Sequence, residues 1–131
     1  MTRDTNTAQK IPVALDNRVL TALTAMSEKK ATDIVVLNIG SVASFTEFFI
    51  ICSGSSSRQV QAISHEVTDK LREQKSRPLH IEGEKTAEWV LMDYGDIVIH
   101  VFTESARKFY DLERLWRDAE TVPLPEEINQ A

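Results

Sequence analysis

Side chains able to carry out chemistry are sparse in this sequence, and their spacing matches no metal-binding or nucleophilic motif. The three histidines, His65, His80 and His100, are far from one another and from the single cysteine, Cys52. Zinc sites use pairs such as Cys-x-x-Cys or His-x-x-x-His, and neither pair occurs. Cys52 ends an apolar run without a cationic neighbour, so we interpret it as a buried thiol. We therefore expect no metal, no cofactor and no catalytic residue.

The segment best suited to binding phosphate is residues 53–58, where one glycine, four serines and Arg58 precede a predicted helix. Backbone amides at a helix N-terminus attract anions. The glycine patterns of phosphate-binding and dinucleotide-binding loops are absent, however, and a serine cap beside a flexible glycine explains the segment more simply. A small nucleotidyltransferase-like, nucleotide-binding enzyme is the alternative hypothesis. Against this hypothesis, the sequence has no pair of carboxylates on one strand face that could hold magnesium.

An acidic segment rich in aromatic residues lies between residues 82 and 104. It contains six carboxylates against one lysine, Lys85. Alternation along a strand places Trp89, Leu91 and Asp93 on one face of a predicted hairpin. Two interpretations remain open: the aromatic residues pack under the last helix, or they anchor a protein–protein interface inside an acidic rim that matches a basic partner.

The elements that must position these residues alternate between helices and short apolar strands. The sequence predicts, in chain order, a helix at 16–30, strands at 33–39 and 48–52, a helix from the serines 55–57 to before Pro78, a strand at 79–82, a hairpin of strands 89–94 and 97–103, and a helix from 105 to about 119. This order predicts an α/β fold of three layers, α/β/α, with a mixed five-stranded sheet.

Length and composition favour a single domain, since the chain has 131 residues, 42% of them hydrophobic and 27% charged. We predict a flexible N-terminal arm at 1–14, a domain at 15–120 and a flexible C-terminal tail at 121–131. The net charge of −5 disfavours a protein that holds nucleic acid through its phosphates. No apolar stretch approaches the ~20 residues of a membrane helix, and the single cysteine favours the cytoplasm.

Several motifs of this sequence resemble the ribosomal silencing factor (Iojap) family. They are ATDIVVL at 31–37, FFIICSG at 48–54, SRQVQAI at 57–63, EWV at 88–90, DYGDIVIHVF at 93–102 and RKFYDLERLW at 107–116. Together they span most of residues 18–119, and their order and spacing make the resemblance specific. It implies a fold like the nucleotidyltransferase core without its catalytic carboxylates, and a translation regulator that is not an enzyme.

The resemblance implies binding to large-subunit ribosomal protein fourteen on the 50S subunit, which blocks association with the 30S subunit and lowers translation under nutrient limitation. A minor contact with ribosomal RNA and a homodimer of the free protein are compatible with it, and no membrane partner is expected. Matching positions to the interface motif of the family predicts the following partner-binding residues: Trp89, Leu91, Asp93, Tyr94 and His100 as contacts, Glu82 and Asp96 as acidic support, and Tyr110 and Trp116, which are equally consistent with core packing.

Overall fold

The computed structural model describes residues 17–128. The predicted flexible arm at 1–14 lies outside the described residues, as does Asp16, which the sequence predicts as the cap of the first helix. Residues 129–131 also lie outside the described part of the chain.

The helices and strands follow the predicted order and gain one strand near the C-terminus. The helices are α1 (Asn17–Glu28), α2 (Ser57–Glu73), α3 (Glu104–Tyr110) and α4 (Leu112–Leu115). The strands are β1 (Thr32–Asn38), β2 (Phe48–Gly54), β3 (His80–Glu82), β4 (Trp89–Asp93), β5 (Ile97–Thr103) and β6 (Glu120–Val122). Short 3-10 turns occupy Ile39–Ser41 and Glu126–Ile128.

One mixed sheet contains all of these strands, in the order β3-β4-β5-β2-β1-β6. The central pair, β2 and β5, is parallel, and the four other neighbouring pairs are antiparallel. The chain crosses from β2 to β5 through α2 and the β3–β4 segment. Because β5 and β2 lie in the middle of the sheet, their residues are buried along almost their whole length.

The two faces of the sheet are covered unequally. α1 and α2 pack on one face, where aliphatic side chains such as Val36, Ile50 and Ile99 are fully buried. The opposite face carries a smaller core around Phe49 and Phe102 and is covered only at one end by the short α3 and α4. We call this second face the open face, and it carries Trp89, Leu91 and Asp93 on β4.

The prediction of a five-stranded sheet is wrong by one strand, and part of the predicted flexible tail is ordered. β6 pairs with β1, with Val122 opposite Val36. Val122 and Ile128 are buried in the core beneath α1 and α2. The folded unit therefore continues to residue 128. Pro123 and Pro125 come after the last residue of β6, so they limit its length and do not prevent the strand from forming.

The predicted last helix is broken into two short helices. Asp111 adopts a left-handed conformation with φ of 48°, which ends α3 and redirects the chain into α4. The break leaves Leu112 buried but turns Phe109 outward, so that 80% of its surface is exposed. Phe109 is therefore a surface residue, whereas Leu112 belongs to the core.

Candidate protein-docking surface

The central strands of the open face bring aromatic and acidic side chains together, as the alternation along the hairpin predicts. Leu91 lies opposite Glu82 on one side and His100 on the other, and Trp89 lies opposite Phe102. Trp89 and Leu91 are half-buried. Trp89 is therefore partly exposed, and its role as an anchor of a protein–protein interface stays a prediction.

A connected cluster of aromatic rings forms the floor of this surface. The Trp89 ring stacks on Phe102, with centroids 4.9 Å apart, and contacts Tyr110 at 4.8 Å. Tyr110 is 48% exposed and joins α3 to β4. Ring contacts of this kind favour particular relative orientations of the side chains. The Trp89 ring is thus supported by two neighbouring rings.

His100 lies beneath Trp89 and is buried, with only 3% of its surface exposed. The Trp89 indole N–H donates a hydrogen bond to His100 Nδ1 at 3.1 Å. Because an indole cannot accept, Nδ1 must be unprotonated and the imidazole proton sits on Nε2. Burial lowers the pKa of His100 to about 3, so the ring stays neutral. Its Nε2 is buried and has no hydrogen-bond partner among the described residues.

The acidic rim of the surface lies along β3 and the end of β4. Glu82 is exposed, and Asp93 is half-buried and accepts a hydrogen bond from the Gly95 amide at 2.8 Å. His80 stands between the two carboxylates, 3.4 Å from Glu82 and 3.9 Å from Asp93. This arrangement holds two negative charges beside Leu91, where they can attract a basic partner.

Asp96 differs from the other predicted acidic residues because its partner within the chain is an arginine. Both of its carboxylate oxygens accept from Arg18 of α1, at 3.1 and 2.7 Å. The hydrogen bond from Arg18 holds the pKa of Asp96 below its ordinary value. Asp96 therefore ties the hairpin turn to α1, and its charge is largely compensated.

Two of the predicted contact residues do not lie at the surface. Tyr94 is 7% exposed and belongs to the core on the opposite side of the sheet, beneath α1 and α2. His100 lies on the open face, but it is buried under its neighbours. Both side chains are therefore buried in the structure, and a direct contact of either one with a partner stays a prediction. His100 is placed to orient Trp89 through the hydrogen bond between them.

Trp116 extends the aromatic cluster toward β2. It is half-buried and packs edge-on against Phe49, with centroids 5.6 Å apart. It also contacts Phe45, whose ring is 60% exposed in the loop before β2. Phe45 was not predicted from the sequence, because a single exposed aromatic residue in a loop is ordinary on a protein surface.

Arg107 and Glu113, which also match the family motif, form a structural pair at the other end of the sheet. The guanidinium donates to both Glu113 carboxylate oxygens, at 3.1 and 2.9 Å. It also donates to the Asp33 carbonyl and to Ser53 Oγ. These bonds link α3 and α4 to β1 and β2.

The loop before α2 uses its polar groups internally. Ser56 caps the helix by accepting from the Gln59 amide at 3.1 Å. The Gln59 side chain in turn accepts from the Ser55 amide at 2.6 Å. The capping interpretation of residues 53–58 is therefore confirmed.

Within residues 17–128, no three carboxylate, histidine or cysteine groups converge as a metal site requires. No helix in the same range is long and apolar enough to cross a bilayer.

The sequence of this chain matches one protein family. Residues 12–131 match the family model described as ribosomal silencing factor during starvation. The ribosomal silencing factor RsfS of Halalkalibacterium halodurans is 46% identical over 103 residues, covering 79% of this chain and 88% of that protein. RsfS of Bacillus subtilis is 40% identical over 109 residues, covering 83% and 92%. The chloroplastic protein Iojap of Zea mays is 39% identical over 101 residues, covering 77% and 44%.

Solved structures agree with the fold. The crystal structure of a Chromobacterium violaceum protein matches with a TM-score of 0.74 and 34% identity, covering 82% of this chain and 87% of that chain. A second crystal structure, of a Bacillus halodurans protein, matches with a TM-score of 0.72 and 42% identity, covering 81% and 96%. The predicted mixed α/β fold is confirmed by both.

Proposed function

Because this chain belongs to the ribosomal silencing factor family, whose name associates it with ribosomes and translation regulation, we propose that it represses translation by occupying the large ribosomal subunit. In this proposal the chain binds large-subunit ribosomal protein fourteen on the 50S subunit and prevents association with the 30S subunit. Translation then falls under nutrient limitation.

The observation that carries the proposal is the open face of the sheet. Trp89 and Leu91 stand half-exposed on a floor of fixed rings, and Glu82 and Asp93 border them. Binding energy in protein interfaces concentrates in such central anchors, with tryptophan and tyrosine prominent among them, while the polar rim excludes water. Tyr110 adds a second exposed anchor beside Trp89.

The charge of the surface matches the proposed partner. Proteins embedded in ribosomal RNA are usually basic, whereas this chain carries a net charge of −5. Glu82 and Asp93 would attract a basic patch, accelerate encounter and disfavour neutral partners. The apolar anchors would then contribute most of the affinity.

Repression in this proposal is steric. The bound chain would occupy the surface that the small subunit must approach, so no reaction and no conformational switch is needed. We accordingly propose that the protein is not an enzyme and that it acts in the cytoplasm, where the subunits join.

The segment at residues 53–58, the candidate for phosphate binding, does not support the alternative of a nucleotidyltransferase-like enzyme. The Ser55 amide and the Gln59 amide, which a phosphate would need, already have partners inside the loop. Calorimetry with magnesium and ATP distinguishes the two functions: we expect no binding heat, and saturable binding would favour the enzyme.

The direct test combines sedimentation with a subunit-joining assay. Purified protein is incubated with isolated 50S or 30S subunits and pelleted, and 70S formation is followed by light scattering. We expect co-sedimentation with 50S alone and a loss of joining in proportion to 50S occupancy. Binding to 50S without loss of joining would contradict the steric mechanism, and absence of 50S binding would contradict the proposed function itself.

A further inference from the structure

A second surface feature lies beside the docking surface and has the opposite charge. α3 and residues 114–118 enclose an open groove of about 610 Å³. Phe109 and Leu115 project from it with 80% and 75% of their surfaces exposed. Lys108, Arg114 and Arg117 line the same groove. We call this feature the basic groove.

The cations of the basic groove form no ion pair with the part of the chain that the structure describes. Arg107, directly before Lys108 in the chain, is paired with Glu113. By contrast, no ion pair within residues 17–128 involves Lys108, Arg114 or Arg117. Two carboxylates, Asp111 and Asp118, also line the groove, so its charge is three minus two, or +1, in a chain of −5. The groove therefore differs electrostatically from the acidic rim around Leu91.

The basic groove is continuous with the docking surface. The rings of Trp89 and Tyr110 are 4.8 Å apart, and the rings of Tyr110 and Phe109 are 5.0 Å apart in an edge-to-face arrangement. A partner that covers Trp89 must therefore end close to Phe109. If the docking surface binds a ribosomal protein, the groove would lie beside that contact, where its cations are complementary to the negative charge of RNA.

We propose that the basic groove binds an unpaired loop segment of ribosomal RNA next to the docked ribosomal protein, with a base stacked on Phe109 and phosphates held by Lys108, Arg114 and Arg117. This inference rests on the proposed function. Single-stranded RNA is recognised by aromatic side chains that stack on splayed bases and by cations that follow the backbone. The exposed ring and the three free cations provide both elements within one groove.

The first experiment separates the RNA contact from the protein contact by charge reversal. The double variant Arg114→Glu/Arg117→Glu is compared with Arg58→Glu/Arg77→Glu, which changes the net charge equally on exposed residues outside the groove. We expect the groove variant to bind 50S subunits at least about tenfold more weakly, and to bind isolated ribosomal protein fourteen like the wild type. In a plot of log Kd against log salt concentration, the slope for this variant should be smaller than the wild-type slope by about 1.4. This corresponds to roughly 0.7 for each of the two cations that are removed. The control variant should match the wild type in both assays.

The second experiment asks whether Phe109 stacks on a base. Phe109→Leu keeps an apolar side chain but loses the flat ring, and Phe109→Ala loses both. If a base stacks on Phe109, both variants should bind 50S subunits about tenfold more weakly. Ultraviolet irradiation of the wild-type complex should attach nucleotides to the peptide that contains Phe109. Full affinity of Phe109→Leu, with no attached nucleotide, would overturn the RNA contact in favour of an apolar protein contact.

The remaining outcomes distinguish the inference from the function on which it rests. If the wild type fails to bind 50S subunits, the proposed function fails and the RNA contact fails with it. If the wild type binds and the Arg114→Glu/Arg117→Glu variant binds equally well, only the RNA contact is overturned. An equal loss of affinity for isolated ribosomal protein fourteen would assign the groove to the protein interface. A loss of self-association alone would assign it to a second copy of the chain.

Discussion

The indole N–H of Trp89 donates a hydrogen bond to Nδ1 of His100 across the β4–β5 pair. This bond joins the most prominent anchor of the docking surface to a buried, neutral imidazole. His100 in turn packs edge-on against Phe49 at 4.6 Å. The orientation of Trp89 is therefore set from inside the sheet, which reduces the ordering that partner binding requires.

The buried state of His100 predicts a pH dependence of folding stability. The unfolded imidazole takes up a proton near pH 6.5, whereas burial lowers the pKa of the folded group to about 3. Its contribution to stability is thus complete above pH 6.5 and is lost as the pH falls toward 3, by up to ~1.4 kcal/mol per pH unit. Denaturant titrations from pH 7 to pH 4 measure this loss. The His100→Gln variant should lose less stability over that range, and an identical slope would contradict the assignment.

Charge reversal at Asp93 should weaken 50S binding. Asp93→Lys places a cation in the acidic rim that is proposed to face a basic partner, so we expect affinity to fall about tenfold or more. Asp69→Lys makes the same change on the exposed side of α2 and should leave the affinity unchanged. Wild-type binding should also weaken as salt rises, and less steeply in Asp93→Lys. Equal effects of the two substitutions would indicate that only net charge matters.

Arg107 should contribute more to the free energy of unfolding than an exposed arginine does. Its side chain is only 12% exposed and is paired with Glu113. Arg107→Met removes these charge-assisted bonds, and we expect a loss of about 1.5–3 kcal/mol in the free energy of unfolding. Arg72→Met, which breaks an exposed pair with Asp69, should cost less than ~1 kcal/mol. Denaturant unfolding of both variants measures the difference, and equal losses would contradict the structural role of Arg107.

The hairpin was predictable from the sequence because its signal is local. The alternation of residues along β4 correctly places Trp89 and Leu91 on one face. The same alternation groups Tyr94 with Val90 and Met92 in the helix-side core, and the family motif alone does not reveal this. Burial of Tyr94 could therefore be predicted from periodicity, whereas the motif match predicts it as a partner contact.

Features that depend on distant parts of the chain could not be predicted in this way. The Arg18–Asp96 pair joins residues 78 positions apart. β6 has three residues, which are too few to show the alternation typical of a strand. It is recognised as a strand by its pairing with β1. The break at Asp111 interrupts an apolar spacing that favours a continuous helix, and that spacing does not reveal the left-handed conformation of this residue.

The central claim is tested most directly by measuring the affinity of Trp89→Ala for isolated 50S subunits, with circular dichroism to establish that the variant is folded. Leu91→Ala serves as the second variant if loss of the indole unfolds the protein, and Leu20→Ala on α1 is the matched control. We predict that Trp89→Ala or Leu91→Ala lowers affinity by roughly 30-fold or more, as loss of a central anchor does, while Leu20→Ala binds like the wild type. Wild-type affinity in folded variants at both Trp89 and Leu91 would contradict the assignment of the open face as the docking surface.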